Sequence, residues 1–78
     1  MRVRIPEARS VELSGDFTDW KPVSLVPGDG DEWDVTLPIA AGIHRVVIRV
    51  NGERWTTPPG IASIADEFQG TVGVIVVR

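Results

Sequence analysis

Arg45-Val46-Val47-Ile48-Arg49-Val50-Asn51-Gly52-Glu53-Arg54-Trp55 is the stretch on which the fold turns. Val46, Ile48 and Val50 alternate with Arg45, Val47 and Arg49, the period of two expected of a half-buried strand. Asn-Gly follows at once. Both central residues of a type I′ turn need φ > 0, and Asn and Gly accept it more readily than other types, so the chain is predicted to fold back here as a hairpin. Trp55 then lies just beyond the turn.

Working outward, the same period recurs. Val11 and Leu13 alternate with Glu12 and Ser14, and Trp33, Val35 and Leu37 alternate with Asp34 and Thr36. Turn clusters separate these runs about every ten residues: Ser14-Gly15-Asp16, Pro27-Gly28-Asp29-Gly30-Asp31, Ala41-Gly42, Asn51-Gly52, Pro58-Pro59-Gly60 and Gln69-Gly70. No apolar i, i+3, i+4 pattern outlasts one turn. The nearest case, Ile61 to Phe68, follows Pro-Pro-Gly and reads as an ordered loop or a single helical turn. Strands are expected near residues 2–5, 10–14, 22–26, 33–37, 43–50, 53–56 and 71–78. Short strands at this spacing predict an all-β, immunoglobulin-like sandwich of about seven antiparallel strands, without the cysteine pair of antibody domains. Residues 1–78 form one domain, with strand pattern from Arg2 to the final Arg78, as expected of a module from a longer protein.

A chain of 78 residues buries only roughly 60% of its unfolded surface, so a surface site is expected rather than a deep catalytic cavity. The net charge is −3, and the arginines and Lys21 are scattered, which argues against binding to a nucleic-acid backbone. There is no cysteine, which removes disulfides, thiolate metal sites and thiol nucleophiles together. The longest apolar run, Val72 to Val77, is far too short to span a bilayer as a helix. No compartment is assigned by these features.

Catalysis finds little support. His44 is the sole histidine and has no evident nucleophile beside it. Ser10, Ser14, Ser24 and Ser63 lack the Gly-x-Ser-x-Gly elbow. Asp66-Glu67 is a poor glycosidase pair, because neighbours in an extended segment point to opposite sides whereas that chemistry needs two carboxyls facing across a sugar. Asp29-Gly30-Asp31-Glu32-Trp33-Asp34 resembles the start of a calcium loop, yet Trp33 replaces an oxygen ligand and Asp34 the required glycine. It reads as a solvated acidic turn. No catalytic residue, metal site or cofactor is therefore expected.

The three tryptophans differ. Trp33 shares parity with Val35 and Leu37 and is expected in the core. Trp20 stands in the polar turn Gly15-Asp16-Phe17-Thr18-Asp19-Trp20, ahead of Lys21-Pro22, where a large stiff amphipathic ring suggests a contact surface. For Trp55, parity leaves core and surface open. Its chemistry favours the surface: a flat, electron-rich aromatic face suits the weakly positive C–H faces of a pyranose.

Five segments carry a resemblance: Val11 to Trp20, Glu32 to Pro38, Ala41 to Val46, Val50 to Trp55, and Gln69 to Thr71. In this order they resemble the glycogen-binding modules of carbohydrate-binding family 48, found in the β subunits of AMP-activated protein kinase and, as early-set domains, in isoamylases and branching enzymes. The most specific parts are the Gly-x-Phe-x-x-Trp turn and the Asn-Gly hairpin leading to Trp. The resemblance implies a sandwich that binds α-1,4-glucans without catalysis. It assigns sugar stacking to Trp20 and Trp55 and a saccharide contact to Thr71, and it puts Gln69 where a leucine otherwise enters the sugar ring. Thr18 stands for an asparagine. A sugar-contacting lysine aligns with Val47 and an asparagine with Gly73, and one residue is inserted between Gly52 and Trp55.

The expected activity is thus non-catalytic binding of an α-1,4-glucan by Trp20 and Trp55 as platforms, with Thr71 and Gln69 as polar guides. Neither nucleic acid nor membrane is expected as a partner. The rival is a docking module that presents the same sandwich to a partner protein or to another domain of its parent. Exposure of both tryptophans on one face favours the sugar; burial of either between the sheets favours docking.

Overall fold

The computed structural model describes residues 1–66 and 70–78, the side chain of Asp66 excepted. Among them are nine strands: β1 (Arg2–Arg4), β2 (Val11–Gly15), β3 (Val23–Ser24), β4 (Val26–Pro27), β5 (Glu32–Asp34), β6 (Gly42–Val50), β7 (Trp55–Thr56), β8 (Ser63–Asp66) and β9 (Gly70–Val77). All pairings are antiparallel. A small sheet runs β1-β5-β4, and a larger one runs β3-β2-β6-β9-β8, with β7 also paired to β6. The protein is an all-β sandwich.

The alternation read in the sequence decides what lies between the sheets. Val3 and Trp33 are cross-strand partners on the small sheet. They join Val11, Leu13, Val46 and Ile48 of the large sheet in one buried cluster, completed by Ile5 and Leu25. Leu13 and Ile48 face each other in register at the centre, 0% and 1% exposed. Burying side chains of this size contributes about 1.5 to 3 kcal/mol each. Trp33 sits in this core, as its parity requires.

Several expected bounds need correction: the strand foreseen over 33–37 ends at Asp34, the one over 53–56 covers only Trp55–Thr56, and two segments differ in kind. The single strand foreseen over 22–26 is two strands, because Leu25 turns into the core and donates its N–H to the Val11 carbonyl at 2.9 Å. The chain thereby leaves the large sheet at Ser24 and joins the small one at Val26. Pro27 is tolerated because β4 is an edge strand, where a missing N–H costs no ladder bond. The loop or helical turn foreseen over Ile61 to Phe68 contains β8 instead, paired to β9 from Ser63↔Gly73 to Asp66↔Gly70. Here the available β9 edge outweighs weak local preference. Glu67 and Phe68 lie outside the described residues.

The one helical piece among the described residues is a single 3₁₀ turn, Asp16–Thr18, at the end of β2. It carries the chain toward Trp20.

Candidate functional site

Trp20 is placed by a tightly closed turn. Its N–H donates to the Gly15 carbonyl at 2.9 Å, and the Lys21 N–H donates to the Thr18 carbonyl at 3.1 Å. The Thr18 hydroxyl donates to the Gly15 carbonyl at 3.0 Å and accepts from the Gly15 N–H at 3.1 Å. The Thr18 hydroxyl is thus engaged in closing the turn. Gly15 is required by space: a Cβ there would stand 2.6 Å from the Arg45 carbonyl oxygen and 2.7 Å from Phe17 Cε1.

Asp19 and Trp20 both have positive φ, 54° and 58°. Aspartate enters this left-handed region with modest penalty, but for a bulky aromatic it is a true outlier. Strain of this kind costs on the order of 1 to 3 kcal/mol and clusters where a side chain must be held for use. The turn's hydrogen bonds hold it.

A second clamp braces the turn against β6. Asp16 Oδ1 accepts from His44 Nδ1 at 2.8 Å, and its Oδ2 accepts from the Arg45 N–H at 3.0 Å. His44 Nε2 donates to the Ala40 carbonyl at 2.7 Å, and the Phe17 ring meets the imidazole edge-on, 5.8 Å between centroids. Both ring nitrogens therefore face acceptors, which only the imidazolium satisfies fully. The Ala40 carbonyl first, and the Asp16 carboxylate second, raise the His44 pKa above the ordinary 6.5 despite a smaller opposing effect of desolvation.

Trp55 is placed by the hairpin. Asn51 and Gly52 have φ of 55° and 72°, as a type I′ turn demands, and the Glu53 N–H closes it on the Val50 carbonyl at 3.0 Å. The Asn51 side chain does more than turn. Its Oδ1 accepts from the N–H groups of Arg9 and Ser10 at 2.6 and 3.1 Å, tying the hairpin to the approach of β2. Beyond the turn, Trp55 pairs with Arg49, so Glu53 and Arg54 together stand opposite Val50 alone. This is a β-bulge, which takes up one residue more than the tight hairpin needs. Without it Arg54 would face Arg49, and Trp55 would fall across from Ile48 on the core side.

With that register, Trp55 joins the outer face of the large sheet. Trp20 and Trp55, both half-buried, line one open depression of about 190 Å³ together with Ser14, Pro22 and Val47. Val47, 5% exposed, forms an apolar floor. Neither tryptophan belongs to the core cluster. A larger hollow of about 270 Å³ lies on the small sheet among Arg2, Gly28, Asp29, Glu32 and Asp34. Its walls hold no aromatic ring, Arg2 is paired to Glu32 at 3.3 Å, and Asp34 lies 3.7 Å from the terminal amine. Those acidic side chains of the 29–34 segment are thus committed to ion pairs. Two further hollows, of about 450 Å³ beside Val26, Pro27 and Val35 and of about 320 Å³ beside Arg2, Val3 and Arg4, also lack an aromatic ring, so of these four the tryptophan depression is the one lined by aromatic faces.

The other two foreseen contacts fare differently. Thr71 pairs with Ala65 in the β8–β9 ladder and is exposed, but it does not line the depression. Gln69 lies outside the described residues. Gly73 is buried beneath Pro58 and Ile61, where a Cβ would meet Pro58 Cδ at 3.0 Å, so this position offers no side chain to a ligand.

Sequence reading passes over Arg49 and Glu12. The Arg49 guanidinium carbon lies 4.6 Å from the centroid of the Trp55 ring, while its Nε and one terminal nitrogen both donate to Glu12 Oε1 at 2.9 Å. A guanidinium so placed attracts the ring by about 0.5 to 2 kcal/mol. The signal was the shared parity of Val47 and Arg49, which puts both on the outer face. What alternation alone lacks is which neighbour each meets.

No protein-family model matches the chain, and no curated protein matches it.

Proposed function

We propose that this domain is a non-catalytic α-glucan-binding module in which Trp20 and Trp55 stack on the sugar rings. The observation that carries the reading is their convergence on one outward depression over the apolar floor of Val47. Two aromatic faces spaced on a shallow surface suit the flat C–H faces of successive pyranose units. The positive φ of Trp20 supports the reading, because strain of this kind clusters at functional sites. The resemblance of the Gly15 to Trp20 turn and the Asn51-Gly52 hairpin to family 48 modules supplies the ligand class. Thr71 and Gln69 enter the proposal as polar guides through the resemblance alone, since Thr71 does not line the depression and Gln69 lies outside the described residues.

Stacking on an aromatic platform is worth on the order of 1 to 3 kcal/mol per ring by analogy with bases, and part of this offsets the ordering of a flexible oligosaccharide. Binding is therefore weak, with Kd between about 10 μM and millimolar. It is also nearly independent of salt, because the partners meet through neutral groups. Titration with maltoheptaose and β-cyclodextrin, followed by calorimetry and tryptophan emission, tests this. Trp20→Ala and Trp55→Ala each abolish binding while the circular dichroism spectrum is retained. Absence of binding at millimolar sugar, or unchanged binding by both variants, refutes the reading.

A second reading has its own observation. Ile43 and Val76 are cross-strand partners on β6 and β9, 73% and 64% exposed. Such a pair favours docking onto a partner protein or an adjoining domain of a parent chain, away from the tryptophans. If Ile43→Lys weakens such an association and leaves sugar binding intact, both surfaces are used.

A further inference from the structure

Glu12, Arg49 and Trp55 form one row across three strands. Glu12 is the register partner of Arg49 on β2, and Trp55 is its register partner on β7. The row lies on the outer face, since its neighbours in the chain, Leu13 and Ile48, point into the core. Arg49 thus has a carboxylate on one side and an indole on the other. With both hydrogen bonds directed at Glu12 Oε1, the guanidinium is held in one place, and its carbon lies close over the ring.

An aromatic ring has two faces. Arg49 covers one of them and does not line the depression that Trp55 shares with Trp20. We propose that Arg49, anchored by Glu12, is the positioning residue of the binding surface: it acts as a pedestal that covers one face of Trp55, fixes the tilt of the ring and leaves the other face for ligand. This rests on the reading of the Trp20 and Trp55 depression as a ligand site. The cause is physical. Trp55 is held by only two residues of strand, β7, directly after a bulge, so the backbone alone constrains its ring weakly. An unsupported indole would pay rotamer entropy on each encounter, whereas a ring already held flat binds with that cost met in folding. Of the cationic side chains, arginine suits this role best. Its guanidinium is planar, stacks on an aromatic and donates in a fixed fork to a carboxylate.

The row also gives the platform a side. A pyranose can approach Trp55 only on the face away from Arg49, so an oligosaccharide lies along the sheet surface instead of wrapping around the indole.

The test separates this claim from the glucan reading. In a Trp20→Phe background, Trp33 is shielded in the core and Trp55 dominates collisional quenching by acrylamide. Adding Arg49→Ala opens the second face and raises the quenching constant roughly twofold. Glu12→Gln, which removes only the anchor, raises it less, and Arg49→Lys restores part of the protection because a lysine retains the charge but not the fork. In the otherwise unaltered chain, Arg49→Ala weakens maltoheptaose binding about tenfold, with thermal unfolding monitored to show that the fold is retained. Should Arg49→Ala fail to fold, Glu12→Gln carries the same comparison. Unchanged quenching in Arg49→Ala or Glu12→Gln overturns the pedestal, as does full affinity in a folded Arg49→Ala. If quenching rises as expected but the unaltered chain binds no sugar, the pedestal stands and the glucan reading falls.

Discussion

Asp16 reaches across to His44 with one carboxylate oxygen and caps the Arg45 amide with the other, so the turn that presents Trp20 is tied to β6 through a titratable imidazole. The folded-state pKa of His44 is raised above 6.5. A raised pKa means that the protonated ring is favoured by folding. Its stabilising contribution is then complete below pH 6.5 and is lost as pH climbs through the folded value. The melting temperature is expected to fall between pH 6 and pH 8.5 by more in the parent than in His44→Gln. Identical pH dependence in the two proteins would show that the clamp is not held by charge.

Trp33 and Trp20 are expected to respond differently to truncation. Trp33→Ala empties the centre of the core and costs about 3 to 5 kcal/mol, read as a large drop in denaturation midpoint. At position 20, glycine accepts the positive φ of 58° that alanine does not, so Trp20→Gly is more stable than Trp20→Ala by about 1 kcal/mol. On the proposed function, both variants are expected to lose sugar binding. Equal stability of the two Trp20 variants would mean that the left-handed conformation relaxes once the indole is gone.

Gly15→Ala is expected to destabilise by about 1 to 3 kcal/mol, the range for forcing atoms into filled space. The Cβ meets a backbone oxygen, Arg45 O, at 2.6 Å, and β6 cannot retreat without breaking its pairing with β2. Chemical denaturation reads the loss. A variant as stable as the parent would place slack between turn and strand that the geometry does not show.

Deletion of Arg54 removes the bulge but preserves the pairing of Trp55 with Arg49, since Glu53 alone then stands opposite Val50. Sugar affinity is expected to stay within about threefold of the parent, under 1 kcal/mol. Replacing Asn51 by Ala in the same hairpin is more damaging, because the Arg9 and Ser10 amides lose their acceptor. Loss of binding on deletion would mean that the bulge itself aims the ring.

Much of the sandwich was legible from period alone. Val11 and Leu13, Val46 and Ile48, and Trp33 were marked as inward by alternation, and each is buried, because a side-chain period of two admits one buried face for each register. The Asn51-Gly52 turn was legible because few residue types accept positive φ twice in succession. Strand β8 was not, since Ser63-Ile64-Ala65 has little preference of its own and becomes a strand by pairing with β9. Nor was the break at Leu25, where burial of one side chain decides which sheet the next residues join.

The sequence by itself determined an all-β chain, its main inward positions and the two tryptophans that merit attention, because these follow from local stereochemistry and alternation. Tertiary structure decided where those tryptophans point. Trp55 has no settled face until Glu53 and Arg54 share the place opposite Val50, and that bulge exists only once β7 is paired to β6. Trp20 cannot be set beside it until Asp16, His44 and Gly15 hold a strained turn over Val47. The union of Glu12, Arg49 and Trp55 joins residues up to 43 positions apart in the chain. No local rule relates them, since such contacts are set by strand register, and register is fixed when the whole apolar face finds its partner.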